Sequence, residues 1–342
     1  MPTADLMPIG TFAQRTGLTA SALRFYADAE VLAPARVDPS TGYRFYSETQ
    51  VERAVLVRRL REIGMPLPAV SDVLAGAVEL VEEHVRRMAD SAESARLQAA
   101  LIVSTLNGEA GEPVLTLSGP VFAAAVDQVL AATARQAELP ILNAVRIELA
   151  DGAVTLTATD RYRLSTRTLT PLDSRGTFAV TVDADDLRAG LPELRSSHRV
   201  SVSIGERALT LHLDGREGVQ ESGYRIRPGD YPDHRALLEG LPEVTTRVLT
   251  QKSAVLAALE TGPGDRAVLR VSPESLLIGE VPVEAVVSGT SIVVQFELTN
   301  LYPAISTAIG TDLVVELRGA ALPATIRSAD HGDLTTLAMP VA

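Results

Sequence analysis

Apolar and polar positions along the chain follow three different rhythms. Between Leu74 and Leu106 the residues Leu74, Val78, Val81, Val85, Met88, Ala92, Ala95, Ala99, Ile102 and Leu106 recur at alternating spacings of four and three. This is the heptad seam of an amphipathic helix, and Glu82, Glu83, Arg86, Arg87, Asp90, Glu93 and Arg96 fill the surface between seam positions. At about 1.5 Å per residue the predicted rod is roughly 50 Å long. It either lies along its own domain or pairs with a second copy as a coiled coil. Its length favours pairing, as does the stop at Asn107-Gly108 with Gly111 and Pro113 beyond.

Before the rod the pattern is helical and short. Ile9 to Thr16 reads as one helix, Gly17-Leu18 as a tight turn, and Thr19 to Glu30 as a second helix capped by Thr19. In such a helix-turn-helix the N-terminal end of the second helix enters the major groove, which makes Thr19, Ser21, Arg24 and Tyr26 candidate DNA contacts. The stretch Arg36-Val37-Asp38-Pro39-Ser40-Thr41-Gly42-Tyr43-Arg44-Phe45-Tyr46 places turn residues between β-prone pieces. It predicts a hairpin wing whose Arg36, Tyr43, Arg44 and Tyr46 reach phosphates.

After the rod the rhythm changes to period two. Val145 to Leu149 alternates, Asp151-Gly152 turns, and Val154 to Ala158 returns, which makes a hairpin. Further strands are predicted at 178–182, 200–204, 209–213, 223–226, 244–249, 267–271, 276–279, 283–288, 291–296, 313–317, 324–327 and 334–339. Helices are predicted at 120–135, 184–194, 253–260 and 298–309. The pattern is two strand-rich units with two helices each.

Composition narrows the function classes. With 342 residues and 46% hydrophobic content the chain holds two or three domains with real cores. No apolar run is long enough for a membrane span, and Met1 to Pro8 lacks a signal-peptide layout, so a cytoplasmic protein is expected. The chain has no Cys, and its five His form no ligand-spaced cluster, which argues against metal, cofactor or redox chemistry. The net charge of −12 is uneven: residues 1–75 carry eight Arg against eight Asp or Glu, so any DNA contact belongs there. Asp160 beside Arg161 lacks a base, nucleophile or metal set, and a structural salt bridge is the better reading. No enzyme activity is expected.

Ile9-Gly10, Leu23-Arg24-Phe25-Tyr26, Gly42-Tyr43-Arg44-Phe45-Tyr46 and Leu60-Arg61-Glu62-Ile63-Gly64-Met65 resemble the winged helix-turn-helix domain of the MerR family of regulators. The resemblance covers Met7 to about Leu74. It implies dimerisation through an antiparallel coiled coil directly after that domain, a palindromic promoter operator in double-stranded DNA, and action on RNA polymerase at the promoter by distorting DNA.

Ala158-Thr159-Asp160-Arg161-Tyr162-Arg163-Leu164 carries a second resemblance, together with Leu139 to Asn143, Gly229 to Arg235 and Leu337 to Val341. These stretches resemble the second and third domains of the bacterial sliding clamp, the β subunit of the replicative polymerase. In that family a cleft between the two domains receives apolar peptide motifs and cyclic peptide antibiotics. The lining positions correspond here to Leu142, Thr159, Arg161, Tyr162, Arg163, Leu164, Pro323, Leu337, Met339, Pro340 and Val341, although the same residues could be interdomain core. The family's usual Arg-Leu ending has no counterpart after Val341-Ala342.

The fold expected is multidomain: a winged-helix DNA-binding domain over 1–75, a coiled-coil helix over 76–107, a linker over 108–117, and two α+β clamp-like domains over 118–241 and 242–342. The clamp's first domain has no counterpart. Its DNA-lining helices correspond to helices bearing Arg135, Arg188, Arg195 and Lys252 against Asp127, Asp185, Asp186, Glu193 and Glu260, a poor lining for DNA. No closed ring is expected. The function expected is a homodimeric transcription regulator whose clamp-like module senses an apolar or cyclic peptide, possibly a clamp-directed antibiotic. The alternative is a clamp-related decoy or replication-associated adaptor.

Overall fold

A computed structural model describes residues 6–107, 112–136, 139–205, 208–216, 218–262, 264–329 and 333–341. Two compact units, Met1–Arg96 and Leu97–Ala342, divide the chain.

The first unit begins with β1 (Leu6–Pro8), α1 (Ile9–Thr16) and α2 (Ala20–Asp28). The turn between the helices works because Gly17 takes φ 71°, the left-handed conformation that ends a helix. Thr19 then caps α2, its hydroxyl accepting the Ala22 N–H at 3.1 Å. The wing is β2 (Arg36–Val37) and β3 (Arg44–Ser47), with β1 on the far side of β3. Its turn is organised by Asp38, whose Oδ1 accepts the N–H groups of Ser40 and Thr41 at 2.8 and 3.1 Å. Helices α3 (Val51–Glu62) and α4 (Leu67–Leu74) complete a core in which Phe12 stacks on Tyr46 at 4.5 Å between centroids.

The rod is α5 (Glu79–Asn107). It starts five residues later than the spacing predicts: Leu74 ends α4, and Gly76 at φ 119° breaks the helical path between them. Leu80 and Val81 pack on the winged-helix core, and the His84 Nε2 meets the Ile63 carbonyl at 3.0 Å. Farther on, the seam residues Val85, Met88 and Ile102 are exposed.

The second unit repeats one strand plan twice. The first repeat is β4 (Leu115–Ser118), α6 (Gly119–Leu130), β5 (Ala144–Ala150), β6 (Ala153–Thr159), β7 (Arg163–Leu169), β8 (Asp173–Ser174), β9 (Phe178–Asp183), α7 (Ala184–Ser196), β10 (Arg199–Ile204), β11 (Ala208–Gly215) and β12 (Gly218–Arg225). A short helix, α8 (His234–Glu239), follows. The second repeat is β13 (Thr246–Gln251), α9 (Lys252–Thr261), β14 (Arg266–Ser272), β15 (Ser275–Ile278), β16 (Val281–Val283), β17 (Ala285–Gly289), β18 (Ile292–Glu297), α10 (Leu298–Ser306), β19 (Asp312–Leu317), β20 (Ala324–Ser328) and β21 (Leu334–Ala338).

Each repeat has its own apolar core. They share a nine-stranded sheet of order β17-β13-β19-β20-β21-β7-β6-β5-β9, joined where β21 pairs with β7 and Leu337 lies opposite Leu164. Close packing sets the helices: a Cβ on Gly190 of α7 would come 2.1 Å from the Tyr224 hydroxyl, so only glycine lets α7 lie against β12 there. At the start of α7, Asp183 accepts the N–H groups of Asp185 and Asp186, both at 3.0 Å, and also binds Arg225 and Arg227.

Three expectations are corrected. Strand β4 occupies the second half of the predicted linker, whose residues 108–111 lie outside the described ones. Strand β7 and helix α8 were not predicted. The predicted strand at 283–288 is two strands, β16 and β17.

Candidate functional site

On the first unit, Ser21, Arg24 and Phe25 lie at i, i+3 and i+4 of α2, and all three are exposed. Phe25, 57% exposed, went unremarked in the sequence, though its helical spacing from Ser21 and Arg24 was a usable signal. On the wing, Tyr43 is exposed and the Arg36 guanidinium sits over the Phe45 ring at 4.8 Å. Arg44 donates to Asp28 at 2.7 Å and to the Arg24 carbonyl at 3.3 Å, tying the wing to α2. Thr19 is exposed, but its hydroxyl is engaged as the helix cap.

One expected contact is corrected. Tyr46 is fully buried on Phe12, with its hydroxyl donating to the Leu23 carbonyl at 3.3 Å, and burial pushes that phenol up. It presents no surface to a phosphate, since its ring is spent on packing. The Tyr26 ring is core as well, with 8% of the residue exposed.

In the second unit the turn between β6 and β7 is held from several sides. Asp160 Oδ1 accepts the N–H groups of Tyr162 and Arg163 at 3.0 and 2.7 Å, and its Oδ2 takes a two-pronged bond from the Arg163 guanidinium at 3.0 and 2.8 Å. The salt-bridge reading of Asp160 therefore holds. Thr159 Oγ1 donates to the Arg163 carbonyl at 2.7 Å, and Arg161 takes φ 79° in the turn.

The second repeat reaches the same turn. Met339 N–H donates to the Tyr162 carbonyl at 2.8 Å, while the Asn300 amide donates to the carbonyls of Tyr162 and Met339, both at 3.1 Å. Arg163 donates to the Thr299 carbonyl at 3.2 Å, and Val341 N–H to the Gln295 carbonyl at 2.7 Å. Thr159, Arg161, Tyr162, Arg163, Leu164, Leu337 and Met339 are thus brought together. Asn300, which reaches Tyr162 across the joint, and Gln295, which holds the Val341 segment within the second repeat, were not foreseen.

Burial divides the cleft candidates. Tyr162 is 61% exposed and Arg161 is exposed; Pro323, Met339, Pro340 and Val341 are half-buried. Leu142, Thr159, Leu164 and Leu337 are buried. Leu142 sits in a short turn, Pro140–Leu142, with its carbonyl accepting Ala134 N–H at 3.0 Å, apart from the hydrogen-bonded group around Tyr162.

The cations expected on the clamp helices are all engaged, and one of them, Arg135, lies beyond the end of α6, which stops at Leu130 rather than at 135. Arg135 and Arg188 converge on Asp185 at 2.7 and 2.6 Å, Arg195 pairs with Asp127 at 2.8 Å, and Lys252 donates to the Ala308 carbonyl at 2.7 Å. Burial works to raise the Asp185 carboxyl, but the donors Arg135, Asn143 and Arg188 outweigh it and hold its pKa below the usual range. No group of residues among those described could hold a metal ion, and no helix among them is long and apolar enough to cross a membrane.

Two family models match the chain: the MerR HTH family regulatory protein over residues 7–77, and the DNA polymerase III beta subunit, central domain, over residues 116–233. The chain is 32% identical to the beta sliding clamp of Micrococcus luteus over 226 residues, covering 64% of this chain and 70% of that protein. It is 33% identical to the HTH-type transcriptional regulator CueR of Yersinia pestis over 101 residues, covering 30% of this chain and 69% of that protein. A beta sliding clamp homolog of Streptomyces muensis, GriR, is 27% identical over 147 residues, covering 42% and 38%. Among solved structures, the beta chain of Streptococcus pneumoniae DNA polymerase III superimposes with a TM-score of 0.59 at 18% identity, covering 67% of this chain. The chain spans 64% of that protein, just under two thirds of its length.

Proposed function

Taking as premise that the chain belongs to the MerR family of HTH regulators through its first unit and to the β sliding clamp family through its second, we propose that it is a homodimer whose clamp-like module senses a peptide. It is a DNA-binding transcription regulator carrying a clamp-like module. In the reading advanced here, Ser21, Arg24, Phe25, Arg36 and Tyr43 meet a palindromic operator in double-stranded DNA, and RNA polymerase at that promoter is the output. Arg44 joins them by exchanging Asp28 for a phosphate. The protein works in the cytoplasm and catalyses no reaction.

The observation that carries the sensing reading is the state of the clamp helices. Arg135, Arg188 and Arg195 are neutralised by carboxylates and Lys252 is held by a carbonyl, so the face that would track DNA in a ring offers no free cation from these positions. The seam around Tyr162 and Met339 is by contrast built with many hydrogen bonds. A module that has lost the sliding surface and kept the cleft is suited to binding what clamps bind. The exposed seam residues of α5 support dimerisation.

The ligand is an apolar, probe-testable peptide, best in cyclic form, because a cyclic chain loses less entropy on binding. Leu142, Leu164 and Leu337 are buried, so a ligand gains access by displacing the outer layer of Tyr162 and Met339. That displacement gives the cleft two arrangements, which differential binding requires if the ligand is to shift promoter output. The test is calorimetry with a clamp-binding cyclic peptide beside transcription in vitro. Leu142→Asp is expected to abolish the response and leave operator binding intact. Binding without any change in transcription removes the sensor reading in favour of a decoy that only sequesters clamp ligands.

A further inference from the structure

The outer face of the nine-stranded sheet presents side chains in register rows. One row runs through Thr325, Leu337, Leu164 and Thr159, the row of the cleft. The next runs through Arg327, Thr335, Thr166, Thr157 and Arg146. Glu148 stands one row farther along β5, opposite Thr155. Rows lie about 7 Å apart and strands about 5 Å apart, which puts Glu148 roughly 17 Å from Leu164. Three residues of extended peptide and a lysine side chain of about 6 Å together span that distance.

At this end of the rows lies a cavity of about 390 Å³ between β5 and the segment that leads into α8, lined by Arg146, Glu148, Tyr231, Asp233, His234 and Arg235, with Glu239 at its edge. The segment is pinned to the sheet, because the Tyr231 hydroxyl donates to the Thr157 carbonyl at 3.3 Å. Glu148 is mostly buried, and its Oε2 has no hydrogen-bond partner among the described residues. Its nearest basic groups stand off: the His234 Nε2 is 3.6 Å from Oε2, and the Arg235 Nη2 is 3.6 Å from Oε1. A buried carboxylate oxygen without a donor is costly to fold around, and such atoms mark places where a donor is missing.

The charge of the lining says which donor fits. Three carboxylates, Glu148, Asp233 and Glu239, face two guanidiniums, Arg146 and Arg235. Arg146 is already donating to Thr181 Oγ1 at 3.2 Å, and Asp233 caps α8 through the N–H groups of Arg235 and Ala236. Burial lowers the His234 pKa, so its ring is neutral near pH 7 and leaves the balance negative.

We propose that this cavity is a second, polar subsite for the peptide whose apolar side chains occupy the cleft, and that it takes an ammonium or amide N–H group on Glu148. The inference rests on the peptide reading of the cleft. It adds a specificity: among equally apolar peptides, the one bearing a long side-chain donor two or three residues from its apolar pair binds best.

The test compares acetyl-Leu-Phe-Gly-Lys-amide with the same peptide ending in norleucine, by calorimetry on the full chain. The lysine peptide is expected to bind about tenfold more tightly, a preference that Glu148→Gln removes without weakening the norleucine peptide. Equal affinity for the two peptides, or a preference that survives Glu148→Gln, overturns the subsite. Lysinamide alone, at millimolar concentration, is expected to shift the His234 ring resonances in both the unmodified chain and Leu142→Asp. If lysinamide shifts them while neither peptide binds, the cavity stands and the cleft reading falls; if the peptides bind and lysinamide shifts nothing in either chain, the cavity is not a site.

Discussion

In the first repeat of the clamp-like unit, β7 is a seven-residue strand paired on both sides, with β6 and with β21 of the second repeat. Its counterpart in the second repeat is β16, three residues long, paired only with β15 and standing at the edge of its sheet. Ile278 pairs with Val281 across a two-residue turn, so Val281 points its backbone groups inward and Pro282 points outward. Pro282 has no N–H to offer there. The opposite edge is blunted differently. Strand β12 corresponds to β21, but the N–H of Arg225, in the place where Met339 binds Tyr162, is taken by Asp186 Oδ2 at 2.9 Å. The position of Leu337 corresponds to Gly223. One joint of the clamp plan is thus complete, and each of the two edges that would repeat it lacks a backbone donor that the joint uses.

The two repeats also carry unlike charge clusters, one at a sheet edge and one inside the sheet, and this difference sets the largest expected effects. Asp183 is fully buried between Arg225 and Arg227, whose side chains are 10% and 29% exposed. Asp183→Asn should destabilise the unit by about 3 kcal/mol, because it removes the buried carboxylate that holds Arg227 and caps α7, although Arg225 keeps its pair with Asp186 at 2.7 Å. Urea unfolding measures it, and a loss below about 1 kcal/mol would erase the contrast. Glu316 is nearly as buried, and of its partners Arg247 and Arg327 are 53% and 40% exposed while Arg318, at 3.8 Å, is 7% exposed. Glu316→Gln should therefore cost less than the Asp183 change, about 2 kcal/mol, because two of the three cations keep water.

Smaller effects sharpen the comparison of the edges. The unmodified chain mixed with a sliding clamp should elute separately from it in gel filtration, and entry into clamp rings would show that the blunted edges do not matter. Pro282→Val returns one outward N–H, for which only a slight rise in self-association is expected by light scattering, since the strand stays three residues long. The smallest effect is a pH dependence. Burial lowers the His234 pKa in the folded chain relative to its ordinary value of 6.5, so the unfolded chain binds the proton more readily. The stability from its neutral ring is present above pH 6.5 and is lost as pH falls through the folded value. His234→Asn should flatten that part of the stability curve.

Sequence and structure agree where a pattern had one physical cause. The seam of α5 was legible because its spacing has no other source, yet its start was not, because only the backbone at Gly76 separates Leu74 from the rod. Strand β7 was missed since Ser165, Thr166, Arg167 and Thr168 show no apolar alternation, although the strand is paired on both sides. Tyr46 was misread because a phenol suits a core as well as a phosphate. The cleft positions came from family resemblance, and burial then divided them. The cavity at Glu148 was invisible: its residues come from segments more than eighty positions apart, and nothing in either segment alone signals an unpaired oxygen.

The β7–β21 joint has a consequence for how the second unit opens. Its hydrogen bonds lie in the middle of a continuous nine-stranded sheet, with strands of both repeats on either side. Amides there cannot exchange with solvent by fraying, so they should exchange only when the whole unit unfolds, at the slowest rates in the chain. The two repeats then behave as one foldon, melting in a single transition despite having two apolar cores.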